Sequence, residues 1–196
     1  MIITIAKGKP NGSMMAPPSK SFAHRYLIGA ALSCGSVSNL SFSADEKASI
    51  SCLESLGFNG IINGNSIKYT GFTKKSDVPV LECNESGSTL RFFIPIAMAI
   101  YDKFIIKGTA KLISRGIEAY EECLADIATF SKSETSITVT GRLKSGDYLI
   151  DASKSSQYVS GMLIALAMLD GQSTLRIKRE LNSKPYVDIT IDVLSK

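Results

Sequence analysis

Residues 79–100 read PVLECNESGSTLRFFIPIAMAI: a short apolar run, a polar loop with a central glycine, then an almost unbroken apolar stretch. The same order recurs at 13–32, SMMAPPSKSFAHRYLIGAAL, and at 148–169, YLIDASKSSQYVSGMLIALAML. Self-similarity of this kind marks a repeat, and each copy spells strand, loop and buried helix. Each helix is followed by a β-type run (VSNLSF 37–42, KFIIKG 103–108, STLRIK 173–178). A second, amphipathic helical pattern comes next (DEKASISCLESLGF 45–58, GIEAYEECLADIATF 116–130, KPYVDITIDVLSK 184–196). Units one and two then close with hairpin patterns, FNGIINGNSIKYTGF at 58–72 and TFSKSETSITVTGRL at 129–143. The predicted unit is β-α-β-α-β-β and the fold class α/β (α+β). The third unit reaches Lys196 in its second helix, so the chain reads as a fragment of something longer. The first helix of each unit is expected inside and the second half exposed. Pro95 is expected to bend the second inner helix or cost it a backbone bond. A strand at Ile2–Ala6 fits none of the repeat and is expected to pair elsewhere.

Composition bounds the function. The chain has 196 residues with 44% apolar, 20% charged and six prolines, the balance of a globular domain rather than a disordered one. Its apolar runs stop well short of the roughly 20 residues a membrane span needs. The opening MIITIAKGKPNG has no signal-peptide pattern, and the expected location is the cytoplasm. The formal charge of +4 comes from scattered basic residues without interleaved aromatics, which suits a small anionic substrate better than nucleic acid. Four cysteines without a C-x-x-C and a single histidine argue against a zinc site; the cysteines are expected to be buried small hydrophobes.

All three polar loops fall where a buried helix begins, and free N–H groups and the helix dipole attract an anion there. In the first, Ser19 can cap, and Lys20, Ser21 and Arg25 can converge on a phosphate. In the second, Gly87 allows a close backbone approach and Arg91 lies one turn on. In the third, Ser155, Ser156 and Gln157 offer two hydroxyls and an amide. Arg115 and Ser183-Lys184-Pro185-Tyr186 stand at helix entries in units two and three. Taken singly, each is also what an ordinary capped helix looks like. Three at equivalent positions are expected to gather around one anionic pocket.

PPSKSFAHR, ESGSTLRF, KLISRGIEAYEE, SSQYVSGML and SKPYVDITIDVL, in this order and spacing, resemble the N-terminal half of the 5-enolpyruvylshikimate-3-phosphate synthase (3-phosphoshikimate 1-carboxyvinyltransferase) family. The resemblance implies a two-domain enolpyruvyl transferase fold, an inside-out α/β barrel with the active site in the cleft between the domains. Residues 13–196 would form the N-terminal, shikimate-3-phosphate-binding domain, with its third repeat truncated. Residues 1–12 would be a strand segment of the partner domain. The implied reaction moves the enolpyruvyl group of phosphoenolpyruvate to the 5-hydroxyl of shikimate 3-phosphate, with no metal or organic cofactor. Lys20 would be the catalytic residue touching both substrates, with Ser21 and Arg25 on shikimate 3-phosphate. Gly87 and Arg115 would contact phosphoenolpyruvate. Ser155 and Ser156 would hold the shikimate phosphate, Gln157 would lie between the ligands, and Ser183 and Tyr186 would complete that side. Arg91 and Asp45 would have supporting roles. The family usually has Arg-Pro where this chain has Arg115-Gly116, and usually no charge where Lys154 stands. The implied partners are the two substrates and a missing C-terminal domain that carries the proton-transferring carboxylates. The expected monomer, without nucleic acid or membrane, would therefore be inactive alone. The related transferase acting on UDP-N-acetylglucosamine is disfavoured because its Lys-x-x-x-Asn signature and reactive cysteine loop are absent. A non-catalytic anion-binding or assembly module on the same scaffold is the alternative.

Overall fold

The computed structural model describes residues 3–4, 6–9, 11–14 and 16–196. Unit one contains α1 (Lys20–Ser33), β1 (Ser36–Val37), α2 (Ala44–Leu56), β2 (Phe58–Asn63) and β3 (Ser66–Phe72). Unit two contains β4 (Val80–Glu82), α3 (Gly87–Ile100), β5 (Lys103–Lys107), α4 (Ala110–Ile113), α5 (Glu118–Cys123), β6 (Ala128–Lys132) and β7 (Ser136–Gly141). Unit three contributes β8 (Asp147–Ile150), α6 (Gln157–Ala167), β9 (Thr174–Ile177) and α7 (Lys184–Leu194).

Each unit builds its own small sheet, in the orders β1-β3-β2, β4-β5-β7-β6 and β8-β9. The repeat is visible in the pairing. Both β4 with β5 and β8 with β9 are parallel pairs joined through an inner helix, whereas β1 and β5 each pair antiparallel with the second strand of the following hairpin. The first hairpin turns on Gly64-Asn65, with Gly64 at φ 56 supplying the positive φ a two-residue loop demands.

Two expected strands are absent among the described residues. Ser13, Met14 and Ala16–Pro18 carry no strand, while Met15 lies outside the described residues. Pro17 and Pro18 have no N–H to give a ladder. Of the strand expected at Ile2–Ala6, Ile3, Thr4 and Ala6 are not in strand, and Ile2 and Ile5 lie outside the described residues. The second helix expected over 116–130 is much shorter. α5 starts at Glu118, after Gly116 at φ 74, and ends at Cys123. Residues 124–127 form a turn, and Thr129-Phe130, read both as helix end and as hairpin start, pair with β7 together with Ala128. Of the cysteines, Cys52 and Cys83 are buried as expected, but Cys34 is exposed, ending α1 in the left-handed region at φ 54.

The inner helices pack as the apolar runs predict. Leu90, Phe92–Ile94 and Ile96–Met98 of α3 have no exposure, and Met162 and Ala165 of α6 are equally buried. The amphipathic α2 is more buried than half, with Ala48, Ser49, Cys52, Leu53 and Leu56 all inside. Its start is a capping box in which Ser43 Oγ accepts from the Glu46 N–H and the Glu46 carboxylate accepts from the Ser43 N–H. Pro95 stays within a continuous α3. The carbonyl it leaves without a helical partner, Arg91 O, accepts instead from the Tyr120 hydroxyl at 2.6 Å. Gly161 makes room for that bond. A Cβ there would stand 2.6 Å from Arg91 O and collide with the Tyr120 hydroxyl. α3 and α6 therefore cross in close contact, and their N-terminal loops come together.

Candidate functional site

The N-terminal ends of α1, α3, α6 and α7 surround one polar cavity of about 320 Å³. Its walls include Ser21, Arg25, Ser88, Phe92, Lys154, Ser155, Ser156, Gln157, Asn182, Ser183 and Tyr186. That volume falls at the small end of the range for ligand pockets, of roughly 300–1,000 Å³. A larger hollow of about 590 Å³ opens at the opposite, C-terminal ends of the same inner helices, against Leu32, Ile100 and Met168. Helix C-termini repel anions, so the smaller, donor-rich cavity at the N-termini is the better suited of the two to an anion.

Arg25 forms the floor. It is 3% exposed, with Nε donating to Thr190 Oγ1 at 2.6 Å, Nη1 to Ser21 O at 2.7 Å and Nη2 to Ser160 Oγ at 3.0 Å. Its guanidinium lies over the Phe92 ring, 4.9 Å from the centroid. Among the described residues no carboxylate pairs with it, and burial pushes its pKa down to about 10, so it remains cationic at neutral pH. Three of five N–H groups are used, and the other two are left for a ligand. Ser160 follows Ser156 by one helical turn and Thr190 follows Tyr186 by one turn. That periodicity is the signal by which both could have been found in the sequence.

Gln157 joins units two and three. Its Nε2 donates to Ser88 Oγ at 2.8 Å, and its Oε1 accepts from Arg91 Nη1 at 2.8 Å. Arg91 also lies over the Tyr158 ring, at 5.1 Å, while its buried Nε has no partner among the described residues. Gly87 opens α3 beneath two guanidinium groups. A Cβ on it would be 3.2 Å from Arg91 Nη1 and 3.3 Å from Arg115 Nη1. Arg115 is carried by the turn after α4, and the Tyr158 hydroxyl anchors that turn by donating to Gly116 O at 3.2 Å. Two cations facing one glycine N-terminus form a second anion-attracting point beside the cavity.

The expected convergence is met for Ser21, Arg25, Ser155, Ser156, Gln157, Ser183 and Tyr186, which share the cavity. Gly87, Arg91 and Arg115 cluster at its edge, tied in through Gln157. Lys20 departs from the expectation. Its ammonium bonds Asp45 Oδ2 at 2.7 Å and does not line the cavity, although its neighbour Ser21 does. Hydrogen bonding to Asp45 raises the Lys20 pKa, which keeps it protonated. Ser19, Ser156 and Ser183 hold N-cap positions, but none makes a side-chain cap bond, which leaves their helix N-termini open. The sequence reading missed Ser88, Phe92 and Asn182. Lys154, noted there as an added charge, lines the cavity while ion-paired with Glu118 at 3.6 Å.

Among the described residues no group of three or more His, Cys, Asp and Glu could hold a metal, and no helix is long and apolar enough to cross a membrane. The comparisons with known proteins agree with one another. A 3-phosphoshikimate 1-carboxyvinyltransferase of Clostridium kluyveri is 40% identical over 203 residues, covering 99% of this chain and 47% of that protein. Its counterpart from Clostridium novyi is 37% identical over 211 residues, covering 99% and 48%. The chain thus spans about half the length of the curated relatives it matches. Among solved structures, EPSP synthase from Acinetobacter baumannii superimposes with a TM-score of 0.71 at 19% identity, over 88% of this chain and 42% of that one, which establishes the shared fold. Residues 6–196 match the family described as EPSP synthase (3-phosphoshikimate 1-carboxyvinyltransferase), and the chain belongs to that family.

Proposed function

We propose that this chain is the shikimate-3-phosphate-binding half of an enzyme that transfers the enolpyruvyl group of phosphoenolpyruvate to the 5-hydroxyl of shikimate 3-phosphate. The observation that carries the reading is Arg25, a buried cation without a carboxylate partner among the described residues, on the floor of a hydroxyl-lined cavity. A phosphate ester supplies the missing charge, and the serines and Tyr186 supply partners for ring hydroxyls. Ser21, Arg25, Ser155, Ser156 and Ser183 hold shikimate 3-phosphate. Gly87 and Arg115 take the phosphoenolpyruvate side, and Gln157, bonded to both Ser88 and Arg91, spaces the two ligands. Arg91 and Asp45 act in support. Lys20 is released from Asp45 toward the ligands when both anions are bound. Holding two polyanions side by side against their repulsion is the work such fixed cations do, and it also offsets charge built up in the transition state.

In this reading residues 13–196 form one domain of a monomeric, cytoplasmic two-domain enzyme with no nucleic-acid or membrane partner. The second domain carries the proton-transfer groups, and this chain alone does not turn over. Titration calorimetry tests the reading. Shikimate 3-phosphate is expected to bind saturably and more tightly than inorganic phosphate, with the preference abolished in Arg25→Ala. Equal affinity for the two anions, or substantial phosphate release by this chain alone, would contradict it.

A further inference from the structure

Four buried polar side chains beside the cavity form a chain that substrate contact does not explain. His24 of α1 is 2% exposed, and its Nδ1 lies 2.7 Å from Ser49 Oγ of α2. Ser49 Oγ lies 3.0 Å from Thr89 Oγ1 of α3, and the Thr89 hydroxyl donates to Ser86 Oγ at 2.8 Å. Ser49, Thr89 and Ser86 are all buried as well.

Each hydroxyl has one proton, so one fixed direction fixes the rest. Thr89 spends its proton on Ser86 and must therefore accept from Ser49. Ser49, having donated to Thr89, must accept from His24 Nδ1–H. The imidazole is thereby set as the neutral tautomer with its proton on Nδ1. Burial acts in the same sense, lowering the His24 pKa to about 4. At the other end Ser86 Oγ accepts twice, from the Thr89 hydroxyl and from the Thr89 N–H at 3.3 Å. Both lone pairs are then engaged, and the Ser86 proton has no acceptor among the described residues. Ser86 is the N-cap of α3, directly before Gly87, where Arg91 and Arg115 converge.

We propose that Ser86 donates its hydroxyl proton to the anion held at Gly87, and that His24 is a positioning residue which, through Ser49 and Thr89, makes that hydroxyl an obligatory donor. The proposal rests on the reading of Gly87 and Arg115 as the phosphoenolpyruvate side. With the proton on Nε2 instead, the whole chain reverses and Ser86 turns a lone pair toward the anion. Polarity set on α1 thus decides whether α3 attracts or repels the ligand.

His24 is the only histidine in the sequence, so the imaging of one imidazole by long-range proton–nitrogen NMR needs no assignment variants. The ligand-free chain is expected to show the Nδ1–H tautomer, and a dominant Nε2–H form would overturn the proposal. The second arm titrates phosphoenolpyruvate into chain saturated with shikimate 3-phosphate. Thr89→Val keeps the side-chain shape but cuts the relay, and it is expected to weaken phosphoenolpyruvate binding about tenfold while leaving shikimate 3-phosphate affinity within about twofold. Ser49→Ala gives the same split should the valine variant melt early. Unchanged phosphoenolpyruvate affinity in both variants, or none in the unmodified chain, overturns the donor role while the shikimate 3-phosphate reading stands. Failure of the unmodified chain to bind shikimate 3-phosphate sinks that reading instead, and the tautomer measurement still reports on the relay.

Discussion

Arg25 and His24 sit one residue apart on α1, and the protein treats them in opposite ways. Arg25 stays charged and is wired to three oxygens, whereas His24 is held neutral. A buried cation without a counter-charge contributes little to stability, so Arg25→Met is expected to unfold within about 1 kcal/mol of the parent in denaturant titration. The same variant is expected to lose at least about tenfold in affinity for shikimate 3-phosphate. A large loss of stability would make Arg25 structural. For His24 the folded pKa, about 4, lies below the unfolded value near 6.5. The unfolded chain then binds more protons between those limits, so stability falls as pH drops from about 6.5 to about 4, by on the order of 3 kcal/mol in all. His24→Gln is expected to remove that part of the slope, read as the difference between the two pH–stability curves. Parallel curves would show that His24 titrates normally.

At the level of elements, the contact of α3 with α6 depends on the Pro95, Tyr120 and Gly161 arrangement. Gly161→Ala forces a methyl against the Tyr120 hydroxyl and Arg91 O, and is expected to cost about 1–3 kcal/mol in denaturant unfolding. Cys34→Gly should act the other way, relieving a left-handed residue at the end of α1 and raising stability by up to about 1 kcal/mol. A destabilised Cys34→Gly chain would mean that the thiol makes contacts worth more than the strain. These elements also show what could be read in advance. The inner helices declared themselves by apolar runs too long for a strand, and the Gly64-Asn65 turn by its residues. The early end of the second unit's outer helix at Cys123 did not, because Leu124 and Ile127 continue the apolar spacing of a helix while the chain turns there. Cys34 likewise carried no sign of its position, since a C-terminal residue in the left-handed region is usually glycine.

Over the whole molecule, the repeat carried both the fold and the site. Recognising that three loops occupy equivalent positions predicted that Lys20, Gly87 and Ser156 would gather. Their helices do meet at one end, with Ser156 lining the cavity and Gly87 at its edge. The Lys20 ammonium turns instead to Asp45, and only its neighbour Ser21 reaches the cavity. The partners that hold the site were not singled out: Ser160 and Thr190 were marked only by standing one turn after Ser156 and Tyr186, and Ser88 is one serine among several in its loop. The orientation of Lys20 was not legible either, since its ion pair with Asp45 depends on how α2 packs against α1. The absent parallel strand beside β1 follows from Pro17-Pro18, which the repeat pattern alone did not weigh. The central claim is that one cationic hollow at the inner helix N-termini receives a phosphorylated ring acid. Backbone amide mapping by NMR during titration with shikimate 3-phosphate tests it most directly. The predicted result is saturable shifts confined to Ser21, Arg25, Ser155–Gln157, Ser183 and Tyr186, whereas shifts centred on the C-terminal ends of the inner helices, or none, would contradict the claim.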